Sequence, residues 1–251
     1  MFRAFHSLKA PQLKEKCKRV GISCNGTKAA LEEMLVDAIS RIADGPRNKR
    51  ILCLDLGFKN FALASLALDA LSSPTLLSWN VEDLNLNDGA FSLEKASLPV
   101  LSLLRRYVTS DNIDEVYIES QTWSRNCGRF GQIPKRILNL KSLEALVYGI
   151  LVTNPRLKVF QSSPRLVSEL FGTSADSYTQ KKANAKLKVE EKLASQEVNC
   201  TNLQVEFYRS FSKKDDLADA LLIGLAVNHW WKNGLDELKA VYLSTTVIEI
   251  D

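Results

Sequence analysis

The sequence predicts an α/β protein: a mixed five-stranded sheet flanked by helices, preceded by a small helical module. Three observations point there. Three apolar, strand-like segments follow one another after residue 50, joined by short turns. Two more then alternate with helix-like segments. Residues 7–41 carry only helical periodicity and end before a stretch rich in Gly, Pro and charge.

In chain order, Leu8, Leu13, Cys17 and Val20 form the apolar stripe of a first short helix, stopped by Gly21. Asn25-Gly26-Thr27 turns the chain and caps a second helix carrying Ala30, Leu31, Met34, Leu35 and Ile39. ADGPRNKR (43–50) is expected to be a linker, making residues 1–42 the module and 51–251 the sheet domain. ILCLDLG (51–57) is a buried strand ending in Asp55 and Gly57. FALASLAL (61–68) is its hairpin partner, and TLLSWNV (75–81) is a third strand after a Ser-Ser-Pro turn. A helix follows over about 92–109, then the strand VYIES (116–120). A helix over 134–152, with Pro134 in its first turn, precedes the strand LKVFQ (157–161). Helices at about 164–171, 179–196 and 214–231 complete the set. The loop SQTWSRNCGRFGQI (120–133) is long, basic and aromatic, and loops of that kind usually carry function.

Composition narrows the chemistry. An apolar share of 45% with 25% charged residues suits a globular protein. No apolar run approaches the roughly 18 residues that span a bilayer, so no membrane partner is expected. The five cysteines are scattered without a CxxC pair, which implies reduced thiols and no zinc site. His6 and His229 are the only histidines, which argues against a zinc enzyme or a Ser-His-Asp hydrolase. The net charge of +4 is unevenly spread. Basic and acidic residues number 11 and 5 in 1–50, 4 and 10 in 51–119, 12 and 4 in 120–190, and 6 and 10 in 191–251. The basic segments suit a polyanion, or else are ordinary solvated surface.

The acidic segments hold the candidate chemistry. Asp55 and Glu119 each end a buried strand, where sites form in open α/β sheets. In FSKKDDLADALLIG (211–224), Asp216 and Asp219 stand three apart on one helix face. Four carboxylates in a small volume repel one another or take up protons unless cations bridge them, and hard oxygen ligands suit Mg²⁺ or Mn²⁺. Such a set fits two-metal phosphodiester hydrolysis, with Asp55 bridging both ions and Glu119, Asp216 and Asp219 flanking them. Lys213 and Lys214 stand beside the site and are candidates for neutralising a phosphate. Asp215 is either a helix-capping residue or the ligand in place of Asp216.

ILCLDLGFKN, VYIESQ and KKDDLADALLIG, in that order, resemble the RuvC-type resolvases of the ribonuclease H superfamily, in particular the fungal mitochondrial Holliday-junction resolvases. The resemblance covers about residues 50–231. It implies a ribonuclease H-like fold and a Mg²⁺-dependent homodimer, with Mn²⁺ as a substitute. Its substrate is a four-way DNA junction, nicked symmetrically during mitochondrial DNA recombination and segregation, and no small molecule. The family's acidic ligands fall on Asp55, Glu119, Asp216 and Asp219. SPRLVSELF (163–171) is similar to a bacterial segment with a catalytic lysine, but Ser168 stands at that position. Lys181 or Lys182 is the candidate replacement. Leu8, Leu13, Lys14, Gly21, Gly26-Thr27-Lys28, Leu31 and Leu35 are similar to the SAP motif, a DNA-binding helix pair. That makes Lys14 and Lys28 expected phosphate contacts.

Trp123, Arg125, Arg129, Phe130, Lys135 and Arg136 combine cations with rings, for stacking on unpaired bases or simply for packing. Glu144 falls on its helix's apolar stripe, as either a further site carboxylate or an acid at the stripe's margin. Gln121, beside Glu119, is a candidate for orienting the site. MFRAFHSLKA has basic and hydroxyl residues and no acid, as a transit peptide would, and the resemblance places the protein in mitochondria. Sugar kinases and actin-like ATPases also open with a DLG strand, but this chain lacks their second domain and Gly-rich loops. A nuclease of the same chemistry acting on RNA–DNA hybrids or plain duplex would carry the same acids. A non-catalytic DNA-binding protein could keep the fold, but four intact acids argue against it.

Overall fold

Strand β1 runs Asn48–Asp55 and starts earlier than its apolar core suggests, because Lys49 is buried against Glu115 at 2.7 Å. In the computed structural model, which describes residues 3–86, 91–121 and 134–246, β1 is the centre of a five-stranded sheet ordered β3-β2-β1-β4-β5. β2 (Phe61–Asp69) and β3 (Thr75–Glu82) extend it antiparallel on one side. β4 (Glu115–Glu119) and β5 (Lys158–Ser162) extend it parallel on the other.

Two compact units divide the chain. One is Asn48–Leu225, and the other joins Met1–Arg47 to Ala226–Asp251. In the first, period-two alternation sorts the side chains onto two faces. Leu52 and Leu54 of β1 and Val116 and Ile118 of β4 pack with helices α4 (Leu93–Ser110) and α5 (Lys135–Val152). On the other face, Cys53 and Leu66 meet the first part of helix α9 (Lys214–Thr246). There a side chain on Gly224 would put Cβ 2.4 Å from Leu66 Cδ1, so glycine permits the close approach. Asp55 and Glu119 share the phase of Cys53 and Tyr117, which turns both toward the α9 face. Helices α6 (Pro164–Phe171), α7 (Tyr178–Ala194) and α8 (Asn202–Ser210) lie between β5 and α9 in the chain.

In the second unit, α1 (Arg3–His6), α2 (Ala10–Arg19) and α3 (Lys28–Ala43) surround Leu13, Cys17, Leu31, Leu35 and Ile39. Thr27 caps α3, accepting from Ala30 N. This core also takes in Val241 and Leu238 of α9. Glu237, 4% exposed, pairs with Lys16 and with Arg19 at 2.9 Å, and Trp230 lies against Gly21.

Several expectations are corrected. Residues 48–50 belong to β1, so no more than 44–47 separates α3 from the sheet. The chain from Ala226 groups with the N-terminal module, where Leu238 and Val241 join its core and Glu237 pairs with Lys16 and Arg19. Helix α9 continues to Thr246, past the expected end at 231, and α8 is an addition to the expected helices. Among the described residues no helix is long and apolar enough to cross a membrane.

Candidate metal centre

The carboxyl ends of β1 and β4 and the first turns of α9 carry the four expected acids. Gly57 follows Asp55 in a turn so tight that a Cβ would lie 2.6 Å from the Asn60 carbonyl oxygen. This glycine thus permits a close approach of the chain to itself. None of the four acids is fully buried, so each keeps some opening to solvent.

Electrostatics tie them into one group. Asp55 and Glu119 share a hydrogen bond. Asp55 is held well above the ordinary carboxylate range by burial, then by the neighbouring charges of Glu119 and Asp216. Burial and then Asp219 push Glu119 up to about 7, opposed by the bond to Asp55 and by Lys181. Asp219 is likewise pushed up to about 7 by burial and by Asp55. Asp216 is raised by burial and Asp215, with Lys182 opposing.

Asp215 behaves differently from its neighbour. Burial pushes it up, but the hydrogen bond from Lys182, a backbone hydrogen bond and the charges of Lys182 and Lys213 together outweigh this, and its carboxyl is lowered. Lys182, from α7, also reaches Asp216 Oδ1 at 3.5 Å and lies over the Tyr178 ring. Burial works against its charge, but the bonds to Asp215 and Tyr178 raise its pKa regardless. The second oxygen of Asp216, Oδ2, is buried with no hydrogen-bond partner.

The head of α9 is held from below. Trp79 of β3 stacks on Tyr208 of α8 at 4.7 Å, and its Nε1 donates to the Leu217 carbonyl at 2.9 Å. Sequence reasoning missed this support. The signal for α8 was TNLQ, a capping box in which Thr201 and Gln204 satisfy each other's backbone N–H.

The donor set fits a hard divalent cation: carboxylates alone, crowded, proton-hungry, and with one orphaned buried oxygen. As they stand, among the described residues no group of three or more His, Cys, Asp or Glu side chains is placed to hold a metal ion. The Asp55–Glu119 hydrogen bond and Lys182 offset the repulsion instead.

The other expected contacts scatter. Lys181 acts electrostatically on Glu119 and Asp219, and Lys213 on Asp215 and Asp216. Lys214 opens α9, and Lys135 and Arg136 are exposed at the start of α5. Arg125, Arg129, Trp123 and Phe130 lie outside the described residues. Ser168 is buried within α6. In the N-terminal unit Lys14 is exposed, while Lys28 Nζ donates to the His6 carbonyl at 3.0 Å.

Comparison with known proteins agrees with this architecture. Residues 4–39 match the SAP domain family. The chain is 25% identical to the mitochondrial cruciform cutting endonuclease 1 of Schizosaccharomyces pombe over 251 residues, covering 89% of this chain and 93% of that protein. The yeast mitochondrial Holliday junction resolvase Ydc2 superposes with a TM-score of 0.67 at 21% identity, covering 93% of this chain and 99% of Ydc2. T. thermophilus RuvC, solved with a Holliday junction substrate, gives a TM-score of 0.50 at 14% identity, covering 72% and 93%. The chain thus has the expected ribonuclease H-like, RuvC-type fold with a SAP domain at its N-terminus, and the resemblance to fungal mitochondrial resolvases extends from motifs to architecture.

Proposed function

We propose that this protein is a Holliday-junction resolvase, a divalent-metal-dependent endonuclease that acts on four-way DNA junctions in mitochondria. The observation that carries the proposal is the meeting of Asp55, Glu119, Asp216 and Asp219 in one electrostatically coupled group at the carboxyl edge of a RuvC-type sheet. The relative's name, cruciform cutting endonuclease, and the junction-resolving structural neighbours support the same activity.

Asp55, Glu119, Asp216 and Asp219 would hold Mg²⁺, or Mn²⁺ in its place. When bound, the ions supply the positive charge that activates the attacking water and stabilises the departing 3′ oxygen. The chain's own part is to hold its carboxylates in position and to present cations to the phosphates. Asp216 offers its free Oδ2, while Asp215 keeps Lys182 beside the site. Lys181 and Lys213 face the acidic group and are suited to phosphates flanking the cut. Lys135 and Arg136 stand exposed for further backbone contacts.

The SAP unit contributes sequence-tolerant DNA binding through exposed side chains such as Lys14. Paired nicks in a two-fold symmetric junction require two sites, hence a homodimer. The test offers the protein a four-way junction, a linear duplex and an RNA–DNA hybrid side by side in Mg²⁺. Selective, paired cutting of the junction is expected, and equal cutting of all three would end the proposal.

A further inference from the structure

Glu144 is 5% exposed on α5, between Leu143 and Val147 of the apolar core. A carboxylate in such a place is costly unless its oxygens are used. Here both are. Oε2 accepts from the backbone N–H of Gln121 at 3.2 Å and from Lys141 Nζ at 2.8 Å, and Oε1 accepts from Gln161 Nε2 at 3.0 Å. Gln121 is the point at which the chain leaves β4, two residues after Glu119. Gln161 stands near the end of β5, beside Ser162, which pairs with Glu119 in register. The ladder is carried one step past Glu119 by Ser120 N donating to the Ser162 carbonyl at 2.9 Å, and Glu144 takes the next N–H.

We infer that Glu144 is a positioning residue for Glu119. It clamps the ends of β4 and β5 from the α5 face and so fixes the backbone on which Glu119 is presented on the opposite face. Gln161 shares the phase of Val159, which packs with the α5 core, so Glu144 works from behind the sheet and through the main chain. Its hydrogen bonds go to Gln121, Lys141 and Gln161, while its charge is also felt at Glu119 and pushes that carboxyl up, behind burial and Asp219. The inference rests on the proposal that Glu119 is a metal ligand. Outer partners of this sort orient the groups that touch the metal, and losing one commonly weakens metal binding by about 10–100-fold.

Two substitutions separate reach from charge. Glu144→Asp keeps the charge but is too short to span both partners. Glu144→Gln keeps the reach and, with the Gln161 amide turned over, retains an acceptor for Gln121 N and a bond to Gln161. Mn²⁺ binding to the full-length protein without DNA, followed by the electron paramagnetic resonance of free Mn²⁺, reads the effect directly. Glu144→Asp is expected to weaken binding about tenfold, and Glu144→Gln by no more than about threefold. Gln161→Met, which removes one donor at similar volume, is expected to fall between them and serves if Glu144→Asp does not fold. Glu144→Gln falling as far as Glu144→Asp would overturn the inference, since charge would then be what matters. Variants all within about twofold of the parent would overturn it too. If the parent binds Mn²⁺ but cuts no junction, the resolvase proposal fails, while the variant comparison still decides the role of Glu144. A parent that binds no Mn²⁺ overturns both.

Discussion

Trp79 Nε1 donates to the main-chain carbonyl of Leu217 at 2.9 Å, joining the sheet's edge strand to the turn of α9 that lies between Asp216 and Asp219. An indole N–H aimed at a helical carbonyl sets how the first turns of α9 are rotated against the sheet. The stack on Tyr208, with ring planes 12° apart, sets their height.

Trp79→Phe keeps a ring against Tyr208 and removes the donor. Losing one buried hydrogen bond costs about 1 kcal/mol, and the smaller ring adds a packing loss of similar size. The urea midpoint is therefore expected to fall, and cleavage with it, because the two α9 carboxylates lose a fixed reference. An unchanged midpoint would contradict the role assigned to this contact.

Asp215 and Asp216 make a sharper pair. Asp215 is committed to Lys182, whereas Asp216 keeps a buried oxygen without a partner. Asp216→Asn is expected to lower cleavage by at least about a hundredfold, as loss of a metal ligand does. Asp215→Asn is expected to cost less than about tenfold, the scale of a disturbed outer contact. Single-turnover rates on a four-way junction, compared at saturating Mg²⁺, distinguish them, and the reverse order would move the ligand to Asp215.

The raised carboxyls also make the metal-free protein sensitive to pH. Glu119 and Asp219 titrate near 7 in the folded chain, against 4.5 and 3.8 for the free groups. Between those values the folded state holds protons that the unfolded state has lost. Their stabilisation is therefore full below about pH 4 and is lost as pH rises through 7. In EDTA, the melting temperature is expected to drop by about 5 °C or more between pH 5.5 and 8. Mg²⁺ should restore it most at pH 8, where the carboxylates are free of protons. A Mg²⁺ effect larger at pH 5.5 than at pH 8 would contradict the assignment.

Much of the site was legible because short-range patterns carry it. Asp55 and Glu119 end apolar runs whose alternation places them on one face, and Asp216 and Asp219 share a helix face by spacing alone. What stayed hidden depends on partners distant in sequence. Lys182, which bonds Asp215, is 33 residues from it. NKR (48–50) looked like linker because the Lys49–Glu115 pair that lets it enter a strand spans 66 residues. α9 runs on past its expected end at 231, through Asn233-Gly234. A Cβ at Gly234 would lie 2.1 Å from Ile42 Cδ1, so this glycine marks close packing. Glu237 then finds Lys16 and Arg19, partners that no local pattern reveals.

The most direct test of the central claim is Asp55→Asn. Asparagine keeps the shape but removes the charge at the carboxylate whose charged neighbours are Glu119, Asp216 and Asp219. Cleavage of a four-way junction in Mg²⁺ is expected to vanish, while binding to the same junction, measured by gel shift without Mg²⁺, survives. Cleavage by Asp55→Asn at a rate near the parent's would contradict the assignment of this carboxylate group as the metal centre.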